Sequence, residues 1–129
     1  MEDSITGFSS VGPPSYGNTT IKPDVSAPGH RVCSASHDAN DGYTELQGTS
    51  MACPHVAGLV ALLLSKDANL SVNDVRKRIR DGVVPTKSTG GTCGGLPDDK
   101  FPNFHAGYGG VSAAGTFKDF QTFRVRSLL

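Results

Sequence analysis

In this chain of 129 residues, Ser50 lies at a position where its hydroxyl could be reactive. Residues 48–58 read G-T-S-M-A-C-P-H-V-A-G, so Ser50 stands at the junction between a predicted extended segment and a predicted helix. The first backbone N–H groups of a helix are unpaired and carry partial positive charge. An oxygen that becomes anionic beside them is stabilised, as acyl transfer requires. Because Gly48 and Ala52 are small, a substrate backbone could approach, and we predict that Ser50 is a nucleophile.

The helix that must carry Ser50 is predicted from the apolar run that follows it. Most residues between Met51 and Leu64 are apolar, and they cover every face of a helix, which is typical of a buried helix. We expect Pro54 in the first helical turn, where its missing N–H carries no penalty. The helix is therefore predicted to begin close to Ser50.

A second helix is predicted from Ser71, which is a good N-cap and has Asp74 three residues later, as in a capping box. Gly82 is a plausible end for this helix. Its basic cluster, residues 76–80, is interpreted as a solvated face rather than a binding site. Short strands are predicted at 21–25, 32–36 and 43–46, a loop at 86–110, and a return to regular structure at 111–114.

Composition and charge exclude several classes of function. The 12 basic and 12 acidic residues balance, which argues against binding to nucleic acid or to an anionic membrane surface. No uninterrupted apolar run reaches the roughly 18 residues of a membrane span, and the polar start of the chain is unlike a signal peptide. The three cysteines form no C-x-x-C pair, which disfavours zinc binding. One disulfide plus one free thiol and three buried free thiols both remain open.

Several segments together resemble the subtilases, the subtilisin-like serine peptidases. Residues 48–58 match every fixed position of that family's nucleophile motif, G-T-S-M-A-x-P-H-V-A-G. Residues 8–13 resemble its F-S-S-x-G-P loop, and residues 22–29 resemble its K-P-D-V-x-A-P-G stretch. The G-Y-G at 107–109 followed by Val111 resembles the end of many subtilase domains, although Ser112 stands where the family usually has Asn or Asp.

The resemblance implies a fold and a set of roles. The fold class is α/β: the C-terminal part of a subtilisin-like parallel-sheet domain, with a buried helix after the nucleophile. Ser50 would be the nucleophile and its backbone N–H an oxyanion donor, with Thr49 supporting the same corner. The leaving-group side of a polypeptide substrate would be lined by Leu46, Gln47 and Gly48. No cofactor and no metal site are implied.

The resemblance also implies that other catalytic groups lie outside this chain. A serine nucleophile needs a general base and a group that orients the base. In the family the catalytic Asp, the catalytic His and the oxyanion Asn precede the serine, and none of their motifs occurs here. His55 resembles a structural residue of the family, and His30, His37 and His105 are expected in surface or loop roles.

We therefore expect residues 1–116 to be a partial catalytic domain and residues 117–129 to be a tail of unknown role. A serine endopeptidase that is inactive alone, and whose partner is the missing N-terminal part of the domain, is the leading interpretation. The alternative is a non-catalytic truncated remnant or a binding module. Because the apolar helix would lack a sheet to cover it, a marginal fold with exposed apolar surface is expected.

An extracellular location is implied by the family only. Two N-x-[ST] sequons, at Asn18 and Asn69, are compatible with secretion, although so short a pattern is also common by chance. The region around Cys93 resembles the C-terminal part of some eukaryotic subtilases. If Cys93 forms a disulfide, Cys33 is the expected partner rather than Cys53 in the apolar helix.

Overall fold

The structure, a computed structural model, describes residues 4–15, 20–87 and 89–118. Small strands and helices follow one another in these residues, joined by loops rich in glycine. The elements are β1 (Val32–Ala35), β2 (Tyr43–Leu46), α1 (Thr49–Lys66), α2 (Val72–Asp81), β3 (Thr92–Cys93), β4 (Leu96–Pro97) and α3 (Ala113–Thr116).

Two antiparallel hairpins make up the sheet structure of the described residues. Strands β1 and β2 pair with Val32 opposite Leu46, and β3 and β4 form a shorter pair within the predicted loop. The predicted strand at 21–25 is wrong, because these residues form no strand and the nearest pairing is the isolated bridge made by Ser26. In the described ranges, parallel pairing is limited to two isolated bridges, Ser4 with Lys87 and Ser26 with Gly110, which agrees with the expectation that the chain is only part of a parallel-sheet domain.

Helix α1 begins where the sequence predicts but is not buried. It starts at Thr49, so Pro54 is its sixth residue and lies beyond the first turn, contrary to the prediction. Only Leu59 and Leu63 are buried, whereas Leu62 is 55% exposed. The expectation of a buried helix is corrected for a physical reason, since the described residues contain no broad sheet that could cover its other faces. The expected exposed apolar surface is confirmed.

By length and composition alone, α1 is just apolar enough to cross a membrane. It has 18 residues with a mean hydropathy of 1.2. This is weak evidence, because core helices of soluble proteins satisfy the same criterion. Ser50 and His55 in its first half are polar, and such residues are rare within a membrane span.

The core is a small cluster between α1 and α2. Leu59 and Leu63 of α1 pack with Val75 and Ile79 of α2, which lie on one face of that helix at a spacing of four residues. Partly buried apolar side chains surround this cluster: Val25, Val60, Leu70, Val111 and Phe117. The core is thus built mainly by two helices that follow each other directly in the chain.

The second helix confirms its predicted boundaries. The Ser71 hydroxyl accepts from the Asp74 N–H at 3.2 Å, and the Asp74 carboxylate accepts from the Ser71 N–H at 3.0 Å, which completes the capping box. Gly82 ends the helix. Val72, in the first turn of the helix, is exposed and lies outside the packed cluster.

All three cysteines are free thiols. Cys33 and Cys53 are exposed and Cys93 is half-buried, so both the expected pairing of Cys93 with Cys33 and the alternative of three buried thiols are corrected. The Cys93 thiol donates instead to the carbonyl of Gly12, which links β3 to the N-terminal loop.

Candidate active site

Ser50 lies at a sharp corner between β2 and α1. Strand β2 ends at Leu46, and only Gln47 and Gly48 separate it from the first helical residue, Thr49. Gly48 is the N-cap residue and has a φ of 145°, a backbone conformation that favours glycine. The chain can therefore turn from strand to helix in two residues, and this turn brings Ser50 to the second position of the helix.

The start of α1 leaves two backbone donors unpaired at this corner. The Gly48 carbonyl accepts from the N–H groups of Met51 and Ala52, at 3.0 and 3.4 Å. No described carbonyl or side chain accepts from the N–H groups of Thr49 and Ser50. Because these donors also lie at the positive end of the helix dipole, the corner favours an anionic oxygen.

The residues predicted to form the site are brought together on an open surface. Ser50, Thr49 and Gln47 are exposed, Leu46 is 52% exposed, and Gly48 is half-buried. No hydrogen bond joins the Ser50 hydroxyl to another residue in the described part of the chain, so no general base contacts it there. The cavity of about 320 Å³ that Thr6, Thr86, Asp98 and His105 help to line does not include Ser50.

Sequence reasoning missed one residue that supports this corner, Gly29. Its carbonyl accepts from the Gly48 N–H at 2.7 Å. A Cβ atom placed on Gly29 would lie 2.7 Å from the Gly48 carbonyl oxygen and 3.3 Å from the Ala52 Cβ. Gly29 ends the 22–29 stretch noted in the sequence, but its contact with Gly48 spans 19 residues and could not be predicted from local pattern.

None of the four histidines is positioned as a base for Ser50. The His55 Nδ1 lies 2.8 Å from the Met51 carbonyl oxygen of its own helix, and five helical positions turn its side chain away from that of Ser50. His30 stacks obliquely with Phe8, and His37 contacts Asp38 at 3.0 Å on an exposed loop. His105 lies in a turn of the predicted loop, as expected; it is half-buried, and its Nε2 atom is buried without a hydrogen-bond partner among the described residues.

Comparison with known proteins identifies one family. Residues 1–109 match the subtilase family of peptidases. The minor extracellular protease Vpr of Bacillus subtilis is 39% identical over 95 residues, which cover 70% of this chain and 12% of that protein. The serine protease AprX of the same species is 32% identical over 124 residues, which cover 87% of this chain and 25% of that protein.

A solved structure agrees with the sequence comparison. The CspB protease of Clostridium perfringens superposes with a TM-score of 0.62 and 29% identity, over 84% of this chain and 22% of that chain. The similarity covers most of the residues described here. The chain spans about an eighth to a quarter of the length of these three relatives.

Proposed function

We propose that this chain, which belongs to the subtilase family, is the nucleophile-bearing part of a serine endopeptidase. Serine peptidase chemistry is established for the family, and the proposal assigns its nucleophile to Ser50. The observation that carries the proposal is the corner itself: an exposed serine at the second position of a helix, beside two unpaired backbone N–H groups.

The proposed chemistry is acyl transfer from a peptide bond. The Ser50 Oγ attacks the carbonyl carbon while its proton passes to a base, and the carbonyl oxygen becomes an anion. The unpaired N–H of Ser50 donates to that anion, and Thr49 supports the same corner. The proton then passes to the departing amine, and a water molecule hydrolyses the acyl-enzyme to release the acid and free Ser50.

The same proposal assigns the substrate-facing residues. Leu46, Gln47 and Gly48 lead directly into the nucleophile corner and are exposed or half-exposed, so they can line the leaving-group side of a bound polypeptide. The base and its orienting carboxylate come from the preceding part of a subtilase domain, which is the proposed partner of this chain. The relative Vpr is named an extracellular protease, and we propose the same location for this chain.

The test is covalent labelling of Ser50 by a fluorophosphonate probe. We expect no labelling of the chain alone, because the nucleophile lacks its base. We expect labelling when the chain replaces the matching segment of AprX, whose remaining three quarters would supply the other catalytic groups. In this chimera Ser50→Ala should abolish labelling and peptide hydrolysis, and Ser65→Ala, which alters an exposed serine elsewhere on α1, should change neither.

A second candidate function is a non-catalytic remnant or binding module, which the absence of any hydrogen-bonded base at Ser50 in the described residues favours. A folded chimera that is not labelled would support this alternative and contradict the peptidase proposal. Labelling of the isolated chain at Ser50 would contradict the need for an external base.

A further inference from the structure

We propose that Gly29 is a positioning residue for the nucleophile, acting through Gly48. The proposal rests on the proposed function of Ser50 and names a residue outside the serine motif. Residues 24–29, here termed the strap, connect the nucleophile corner to the segment at 107–111 and to α2. The strap and its contacts involve two sequence motifs, at 22–29 and 107–111. The proposed role of Ser50 as nucleophile gives these motifs no function.

At its C-terminal end the strap fixes the corner by two contacts. The Gly29 carbonyl accepts from the N–H of Gly48, the N-cap residue of α1, at 2.7 Å. This bond uses the single backbone donor of Gly48. Gly29 also lies so close that an added Cβ would be 2.7 Å from the Gly48 carbonyl oxygen and 3.3 Å from the Ala52 Cβ. Only a residue without a side chain allows this approach without displacing Gly48 or α1.

At its N-terminal end the strap is held by backbone hydrogen bonds. The Ser26 N–H donates to the Gly109 carbonyl at 2.9 Å, and the Val111 N–H donates to the Ser26 carbonyl at 2.8 Å. The Tyr108 N–H donates to the Asp24 carbonyl at 2.8 Å. Three bonds along the same short stretch keep the strap from sliding.

Side chains add a second anchor to the same end. The Asp24 carboxylate pairs with Lys22 and with Arg80 of α2. The Arg80 guanidinium also lies over the Tyr108 ring, 4.5 Å from its centre, a cation–π geometry. With its far end held in this way, the strap cannot retreat from a bulkier residue at position 29, so the displacement falls on Gly48 and on the helix start.

The experiment measures the electrostatics of the corner without requiring catalysis. Cys33, Cys53 and Cys93 are changed to serine, and a thiol is introduced by Ser50→Cys in the full chain. A thiol at an ordered helix N-terminus is more acidic than a free one. We expect its thiolate fraction at pH 7, measured from the pH dependence of iodoacetamide alkylation, to be about tenfold above that of free cysteine.

The decisive comparison adds Gly29→Ala, with Gly7→Ala as its matched control. Gly7 is a loop glycine like Gly29, but it is exposed, and an added Cβ there has nothing within 4 Å. We expect Gly29→Ala to lose most of the tenfold gain in thiolate fraction and Gly7→Ala to keep it. Hydrogen exchange of the Val75 and Ile79 amides should remain as in the parent, because α2 has its own capping box.

The outcomes separate the two proposals. If the thiol of the Ser50→Cys parent is no more acidic than free cysteine, the proposal that this corner stabilises an anionic oxygen is contradicted. If the parent gains acidity and Gly29→Ala keeps it, the positioning role is overturned. Loss of α2 protection in Gly29→Ala would also overturn it, since the residue would then support the whole fold. Independently of any substitution, the Gly48 N–H should exchange more slowly than that of Gly7, and equal rates would contradict the proposal.

Discussion

Asn103 is the residue on which the C-terminal loop depends most. Its side chain is fully buried, with 0% exposure. The amide nitrogen donates to the carbonyls of Asp98 and Lys100, at 3.0 and 2.9 Å, and the amide oxygen accepts from the N–H groups of His105 and Ala106, at 2.9 and 2.8 Å. A single side chain thus satisfies four backbone groups that the loop could not pair by itself.

Replacing Asn103 by alanine should therefore be costly. Asn103→Ala leaves buried backbone groups without partners, and we expect the free energy of unfolding to fall by about 3 kcal/mol. Urea denaturation of the chain measures the change. Asn40→Ala, in an exposed turn, is the control and should alter stability by less than about 0.5 kcal/mol. A loss below about 1 kcal/mol at position 103 would contradict the role given to this amide.

The importance of Asn103 could have been only partly predicted from the sequence. An asparagine after proline is typical of a turn, since its side chain can bond to backbone two residues later. The bond to His105 is of that kind. What the sequence does not contain is the depth of burial, which depends on how the loop folds back so that Asn103 and Gly107 exchange two backbone hydrogen bonds of 3.0 Å.

At the scale of elements, local signals predicted α2 correctly and the turn from β2 into α1 in part. The capping box and the C-terminal glycine of α2 act within a few residues, so they are visible in the sequence. The start of α1 was also predicted, but the contact between Gly29 and Gly48 was not. The pairing of Ser26 with Gly110 was missed for the same reason, since both link segments distant in the chain.

The strap makes one element-scale prediction about pH. Partial burial raises the pKa of Asp24, but hydrogen bonds from Lys22 and Arg80 and the charges of these two residues outweigh it, so the net pKa lies below its ordinary value. The ionised carboxylate therefore stabilises the fold above the unfolded pKa of about 3.9. That stability is lost as pH falls through the lower pKa of the folded state.

Asp24→Asn should accordingly make stability less sensitive to acid. Between pH 5 and pH 2, the midpoint of urea denaturation should fall less in Asp24→Asn than in the parent chain. Some sensitivity should remain, because the Ser71 hydroxyl and Lys77 lower the pKa of Asp74 and Asp81, respectively. Arg80→Gln should also reduce the acid sensitivity, since it removes one of the two cations at Asp24. An unchanged acid response in Asp24→Asn would contradict this assignment.

At the scale of the whole molecule, the balance between core and surface is the main feature. Four buried apolar side chains form the cluster between α1 and α2, while large apolar groups elsewhere remain exposed. These include Leu62 and Leu64 on α1 and Tyr43 and Leu46 on the hairpin. The sequence predicted an apolar helix, but periodicity could not tell which faces would be covered, because that depends on the elements available to pack against it.

Neighbouring leucines on α1 allow the consequence to be tested. Leu62 is 55% exposed, whereas Leu63 is fully buried. Leu62→Lys should lower the binding of a hydrophobic dye such as ANS and reduce self-association, while changing the free energy of unfolding by less than about 0.5 kcal/mol. Leu63→Ala should cost about 3 kcal/mol, because it removes a packed side chain from the small core.

The pair also distinguishes two origins of association. If exposed apolar surface in the folded state drives self-association, Leu62→Lys lowers it at temperatures where the fold is intact, and Leu63→Ala does not. If association proceeds instead through unfolded molecules, Leu63→Ala raises it strongly and Leu62→Lys has little effect. Light scattering and dye binding, measured together well below the unfolding midpoint, separate these cases. Because Leu62 and Leu64 leave large apolar side chains exposed on the folded α1, we expect the first result.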